Sequence, residues 1–179
     1  SKDPEGKIIG CRWVSSNKGD AESPDVRMRL VGQEINRGDV CDDFYAATPP
    51  LEAKRLLFSD WATKKQIGGQ RLKLHFTDIR KAYFNGVPTR SIYVRMPPEL
   101  GLPKGTRGKL VRCMYGTRDA GAIWEQFYVD CLLGMGFVQS LASPCFNHPD
   151  WEISVVVHGD DFTALGTDKS LNKYEAGLK

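Results

Sequence analysis

Residues 155–162 read Val-Val-Val-His-Gly-Asp-Asp-Phe, an apolar run that leads directly into two adjacent carboxylates. Aspartate is a poor strand former, so a pair of aspartates between apolar runs predicts the tip of a β-hairpin. A third acid, Asp78, ends another strand-like segment at residues 71–77. Three carboxylates at two strand ends can hold two divalent cations about 3.5–4 Å apart for phosphoryl transfer. The pattern of Asp78, Asp160 and Asp161 therefore favours the catalytic core of a nucleic-acid polymerase.

Each of these features also has an ordinary structural explanation. Gly159-Asp160-Asp161 could be a plain turn between two strands, and Asp78 could cap the segment that follows it. The joint occurrence is more informative, because both acidic positions follow apolar strand residues and precede further apolar ones. Like charges brought together repel, and a bound cation is the usual way to relieve this repulsion.

The bulk composition is that of an ordinary globular protein. With 179 residues, 41% hydrophobic and 26% charged, the chain suits one domain, or one domain with a small subdomain. The net charge of +3 permits a nucleic-acid partner without requiring one. Five cysteines show no CxxC pair, which is typical of reduced thiols in an intracellular protein. We expect no membrane partner, because no run approaches the ~18 apolar residues of a membrane span.

The hydrophobic patterning predicts an α+β fold. Helical spacing begins at Leu51, with five residues expected on one buried face (Ala53, Leu56, Leu57, Trp61 and Ala62), and returns at 119–135 and from Thr167 onward. Strands are predicted at residues 8–15, 26–33, 71–77, 91–95, 109–114, 145–147, 153–158 and 162–166. After an N-terminal extension the order is β-α-β-β-α-β-β. This order suggests an antiparallel, ferredoxin-like sheet with helices on one face.

The segment Asp78–Gly86 carries a more specific signal. It reads Asp-Ile-Arg-Lys-Ala-Tyr-Phe-Asn-Gly and resembles the first catalytic motif of the reverse transcriptase of copia-type long-terminal-repeat retrotransposons. The resemblance continues in chain order through Arg12-Trp13-Val14, Arg29-Leu30-Val31, residues 44–49, Arg55-Leu56-Leu57, Ile92-Tyr93-Val94, Met96-Pro97-Pro98, residues 110–116, Trp124, Gly136-Phe137 and Ser143-Pro144-Cys145. Each piece is weak, but the ordered series spans nearly the whole chain.

The resemblance implies a role for each candidate residue. Asp78, Asp160 and Asp161 would be catalytic and would hold two Mg²⁺ ions, for which Mn²⁺ can substitute, and the Ile79 carbonyl would complete one coordination shell. The residues implied at the nucleotide are Arg29, Arg27, Lys81, Ala82, Tyr83 and Gly116, and those implied at the primer or template are His158 and Gly159. Tyr83 would lie beneath the sugar and exclude a 2′-hydroxyl. From the residues alone, Tyr83 and Phe84 could instead be core aromatics beside a turn, and Arg27 and Arg29 could belong to a solvated strand face.

The resemblance also implies an architecture and partners. We expect a polymerase palm from about residue 71 to 179, and an N-terminal fingers subdomain over about residues 1–70 with interleaved segments. The chain has no initial Met and stops inside a predicted helix, so a thumb and a ribonuclease H domain are expected beyond Lys179. The implied partners are an RNA or DNA template with its primer, deoxynucleoside triphosphates, and the rest of a Pol polyprotein including integrase. The implied location is a cytoplasmic virus-like particle or the nucleus.

Two departures from the family pattern keep other functions open. His158 and Gly159 replace the usual Tyr and apolar residue, and residues 118–122 read Arg-Asp-Ala-Gly-Ala where the family has Lys-Gln-(Ala/Ser)-Pro-Arg. One alternative is a catalytically decayed retrotransposon relic. Another is a non-catalytic nucleic-acid-binding module on a ferredoxin-like sheet, whose mark would be exposed aromatics on the sheet face. The strand aromatics Phe76 and Tyr93 do not form that stacking pattern in the sequence.

Overall fold

The computed structural model describes residues 6–35, 48–64, 66–141 and 144–179, and shows a mixed α/β protein. The described helices are α1 (Leu51–Lys64), α2 (Ala120–Gly134) and α3 (Asp168–Gly177). The described strands are β1 (Lys7–Asn17), β2 (Val26–Gln33), β3 (Gln66–Ile67), β4 (Gln70–Arg71), β5 (Lys73–Asp78), β6 (Ile92–Arg95), β7 (Arg107–Lys109), β8 (Val138–Gln139), β9 (Cys145–His148), β10 (Ile153–His158) and β11 (Asp161–Gly166). No helix in these ranges is long and apolar enough to cross a membrane.

The chain divides into two compact units, each built from two separate segments. The first unit comprises Ser1–Tyr45 and Tyr83–Trp124, and the second comprises Ala46–Ala82 and Glu125–Lys179. In the first unit, the strands form a sheet of order β2-β1-β6-β7, in which β1 and β6 run parallel and the other pairs antiparallel. Its core is the apolar cluster of Ile9, Ile92, Val94 and Met114.

A buried ionic network ties the first unit together. Arg90 donates two 2.7 Å hydrogen bonds to the Glu34 carboxylate, and its Nε donates to Asp119 at 2.9 Å. Lys7 and the backbone N–H of Arg118 also bind Glu34, whose side chain is fully buried. Burial acts to raise the pKa of Glu34, but the hydrogen bonds from Arg90, Arg118 and Lys7 outweigh it and lower the pKa to about 2. The acid at position 119, a departure from the family pattern, is thus paired with Arg90.

Gly116 marks a close approach of two backbone segments in the first unit. The N–H of Gly32 donates to the Tyr115 carbonyl at 2.7 Å, and the N–H of Glu34 donates to the Gly116 carbonyl at 3.2 Å. Gly116 has a φ of 85°, and a Cβ there would overlap the Gly32 carbonyl. Only glycine fits both the left-handed conformation and the short separation.

In the second unit, five antiparallel strands form a sheet of order β5-β11-β10-β9-β8. On one face, the Tyr128 ring of α2 packs edge-on against Phe146 and Phe162. On the other face, Leu57 of α1 joins a cluster with Leu72, Val156 and Leu165. The helix α3 begins after Thr167, where the sequence predicted a helix to begin, and the Thr167 hydroxyl forms a capping box with Ser170.

Three expectations about the elements were wrong. The strands after the N-terminal extension were expected to form one antiparallel sheet. They do not, because β6 and β7 join the sheet of β1, whereas β5 lies in the other sheet. Residues 110–114 are not a strand, since β7 ends at Lys109 and the Cys113 N–H bonds the Gly86 carbonyl in a loop. In α1, only Leu57 is buried, while Leu56 and Trp61 are exposed, because the helix contacts the sheet along a narrow stripe.

Candidate active site

The β10–β11 hairpin places two carboxylates at its tip. His158 pairs with Asp161 across the hairpin, which leaves Gly159 and Asp160 as the two turn residues. Gly159 has a φ of 65° at the first turn position, where a type II′ turn requires glycine. The glycine that departs from the family pattern is therefore well suited to this turn.

The neighbouring strand β5 brings the third carboxylate to the same place. β5 pairs with β11, and Asp78 lies directly opposite Asp161 in the register. The Ile79 N–H donates to the Asp160 carbonyl at 2.9 Å, which ties the end of β5 to the hairpin turn. One carboxylate oxygen from each of Asp78, Asp160 and Asp161 lies within 4.8 Å of the others. The structure thus brings the three predicted acids together.

The three acids fit a divalent metal site. All three are exposed, and among the described residues they are the one group of three or more His, Cys, Asp or Glu side chains close enough to share an ion. Carboxylate oxygens are hard ligands that suit Mg²⁺, which keeps several waters and needs few protein ligands. Three negative charges this close repel one another, and a bound cation offsets that repulsion.

A cation from α1 reaches the edge of the cluster. The Lys54 ammonium lies 3.4 Å from Nδ1 of His158, a residue that the register places beside Asp161. His158 is exposed, so it is not a core histidine. Sequence reasoning missed Lys54, because it is 104 residues from His158 and follows no motif.

The segment after Asp78 turns sharply. Lys81 has a φ of 57°, which is uncommon for a residue with a side chain. Ala82 follows it, is buried, and begins a 3₁₀ turn over Ala82–Asn85. The turn thus follows the metal-site candidate Asp78 directly, and the roles implied for Ile79, Lys81 and Ala82 stay predictions.

The other predicted site residues belong to the first unit. Arg29 and Arg27 are exposed on β2, and Arg27 forms an ion pair with Asp25 at 3.2 Å. The Tyr83 ring is half-buried and lies edge-on to Tyr115, with ring centroids 4.6 Å apart. Gly116 follows Tyr115 at the close approach to β2, so it helps to fix the ring that Tyr83 contacts.

Comparisons with known proteins agree with the sequence motifs. The profile of the family described as reverse transcriptase (RNA-dependent DNA polymerase) matches residues 1–175. Two relatives from Arabidopsis thaliana are the retrovirus-related Pol polyproteins from transposons RE2 and RE1. They are 24% and 25% identical to this chain, over 96% and 92% of its length.

The chain spans 12% and 11% of those two polyproteins, so the relatives are far longer than the present chain. No solved structure gives a significant match. The resemblance inferred from Asp78–Gly86 and the motifs around it is nevertheless confirmed, because the family match covers nearly every residue. The chain belongs to the reverse transcriptase family.

Proposed function

We propose that the chain is the catalytic core of an RNA-directed DNA polymerase, which transfers deoxynucleotides onto a primer 3′-hydroxyl. The observation that carries this proposal is the convergence of Asp78, Asp160 and Asp161 within 4.8 Å at adjacent strand ends. Convergence of this kind is not expected of a non-catalytic sheet module, and the pairing of Asp119 with Arg90 removes one reason to regard the chain as a relic.

The three carboxylates would hold two Mg²⁺ ions, or Mn²⁺ in their place, with the Ile79 carbonyl as a further oxygen ligand. Bound there, such ions would supply activation of the attacking hydroxyl and stabilisation of the departing pyrophosphate. The protein's own contribution is to hold Asp78 and Asp161 in register and to fix Asp160 through the Ile79 amide.

The residues around the carboxylates have proposed roles in nucleotide binding. Lys81 and Ala82 would present backbone amides to the triphosphate, and the unusual φ of Lys81 supports a functional turn. Arg29 would bind phosphate oxygens with its guanidinium fork, in keeping with its exposure. Tyr83 would lie beneath the sugar, and Tyr115 holds its ring in place.

In this proposal the second unit is the palm and the first unit supplies the fingers. His158 and Gly159, at the hairpin tip, would meet the primer or template. The substrates would be a primed RNA or DNA template and deoxynucleoside triphosphates, and the remaining partners would be the other parts of a Pol polyprotein.

Metal binding and primer extension together test the proposal. Mn²⁺ binding to the 179-residue chain is measured by electron paramagnetic resonance, and extension of a primed RNA template is measured with Mg²⁺ and all four deoxynucleoside triphosphates. We expect Asp78→Asn and Asp161→Asn to lose both. Asp150→Asn is the matched control, because Asp150 is exposed and precedes β10 at the end of the sheet opposite the hairpin tip. Metal binding without extension in the full-length Pol polyprotein would favour the relic, and unchanged Mn²⁺ binding in Asp78→Asn would refute the site.

A further inference from the structure

Two exposed aromatic side chains lie beside the carboxylates and have no role in the proposed chemistry. Phe76 of β5 is 64% exposed, and Phe58 of α1 is 40% exposed. Their ring centroids are 6.3 Å apart and the rings are tilted by 32°. Large exposed aromatics of this kind call for an explanation when they are grouped rather than scattered.

The strand register puts this pair on the same side of the sheet as the carboxylates. Phe76 and Asp78 are two residues apart on β5, so their side chains share a face and are about 7 Å apart along the strand. Leu74, two residues earlier, packs against the α1 cluster, which identifies this face as the one that α1 covers. The pair therefore borders the carboxylates on the α1 side, within the second unit.

A cation lies at the other end of the same helical stretch. Lys54 and Phe58 are four residues apart on α1, about 6 Å along its axis and on one side of the helix. Lys54 contacts His158, which pairs with Asp161, while Phe58 contacts Phe76. An ammonium and an aromatic surface thus border the same row of side chains, His158, Asp161 and Asp78.

We propose that Phe76 and Phe58 form a stacking platform for an unpaired base of the nucleic-acid substrate, with Lys54 at the adjacent phosphate. Proteins that hold single strands combine aromatic rings, on which bases stack, with cations that follow the backbone. The proposal rests on the proposed polymerase function, because continuity with the carboxylates places a nucleic-acid strand at this face. In this role Phe76 is a positioning residue.

Binding of a fluorescein-labelled dT12 strand to the 179-residue chain, with Mg²⁺ and no nucleoside triphosphates, tests the platform without any chemistry. We expect Phe76→Ala to weaken binding about 5- to 100-fold, the usual range for loss of one stacked base. Phe76→Trp should retain binding, whereas Phe76→Leu should behave as the alanine variant, since stacking needs a ring. Phe127→Ala is the control, because Phe127 is also an exposed phenylalanine (42%) and lies on α2 of the same unit.

Three results would overturn the platform: unchanged binding in Phe76→Ala, full retention by Phe76→Leu, or equal losses in the Phe76 and Phe127 variants. A change in the sedimentation coefficient of Phe76→Ala with unchanged dT12 binding would assign the pair to self-association instead. Circular dichroism checks that Phe76→Ala is folded. Because Phe76 is exposed, its replacement should leave the fold intact.

Primer extension separates this inference from the proposed function. In an active chain, Phe76→Ala should raise the KM for primed template and leave kcat within about twofold, because the contact is made equally in the ground and transition states. If Phe76→Ala extends primers and binds dT12 with wild-type affinity, the platform is refuted and the polymerase function stands. If dT12 binding depends on Phe76 but the full-length Pol polyprotein extends no primer, the polymerase function is refuted and the platform stands.

Discussion

Replacing Arg90 by Met should destabilise the first unit strongly and in a pH-dependent way. Arg90 binds two carboxylates whose side chains are 0% (Glu34) and 3% (Asp119) exposed. Removing one partner of a buried ion pair costs about 3–5 kcal/mol, because the remaining charge stays buried without its partner. Lys7 would still contact Glu34, but its side chain is 44% exposed and it does not reach Asp119 in the wild-type network.

The pH dependence follows from the lowered pKa of Glu34. Its pKa is about 2 in the folded chain and about 4.3 when unfolded, so the carboxylate contributes stability above pH 4.3 that is lost as the pH falls toward 2. This contribution is about 3 kcal/mol at pH 7, of which roughly half is lost by pH 3. Without Arg90 the pKa of Glu34 should rise. The difference in unfolding free energy between wild type and Arg90→Met should then narrow by up to about 2 kcal/mol between pH 7 and pH 3.

Urea unfolding followed by tryptophan fluorescence at pH 7, 5 and 3 measures this difference. Arg90→Lys should lie between wild type and Arg90→Met, since an ammonium cannot reproduce the forked guanidinium bonds. Arg12→Met, on the exposed surface of β1, is the control and should stay within about 0.5 kcal/mol of wild type. A loss below about 1 kcal/mol at pH 7, or a difference that does not change with pH, would refute the reasoning.

Three further predictions concern the first unit. Gly116→Ala should lower the free energy of unfolding by more than about 2 kcal/mol, and the control Gly105→Ala by about 1 kcal/mol. Both glycines have a positive φ, but of the two only Gly116 lies against another backbone segment, so equal losses would contradict this explanation. Arg29→Ala should raise the KM for deoxynucleoside triphosphates without changing Tm, whereas Arg27→Ala should have little effect, and unchanged nucleotide dependence would remove Arg29 from the site. Tyr83→Val should allow ribonucleotides to be incorporated, and the rate of deoxynucleotide incorporation should fall by less than the preference for deoxynucleotides over ribonucleotides. An unchanged preference would refute the role of Tyr83 in excluding the 2′-hydroxyl.

The sequence predicted those features that depend on local patterns. The acidic hairpin, the strand before Asp78 and the start of α3 each follow from neighbouring residues, so they could be located without knowledge of the fold. The meeting of Asp78 with the hairpin was expected because carboxylates that share two metal ions must lie close together. The family resemblance then supplied the roles, which hairpin geometry alone does not give.

The remaining features depend on contacts between residues far apart in the chain. The bond between Glu34 and Arg90 joins positions 56 residues apart, and neither residue lies in a motif. The buried side of α1 was mispredicted because helical spacing shows which residues share a face but not how wide the contact is, so Leu56 and Trp61 were assigned to the core. The pairing of β6 with β1 likewise depends on a parallel contact between strands separated by α1 and β5.

The pairing of β5 with β11 has a consequence for synthesis of the chain. From Asp78 to Asp161 the ribosome adds 83 residues (161 − 78), which takes about 4–17 s at 5–20 residues per second. During that interval β5 has emerged without its sheet neighbour and exposes both its backbone hydrogen-bonding groups and the Phe76 ring. An unpaired strand edge is a template for intermolecular pairing. The strand that carries Asp78 is therefore also a segment exposed to aggregation during synthesis, and slower translation between the two strands should lower the yield of folded protein.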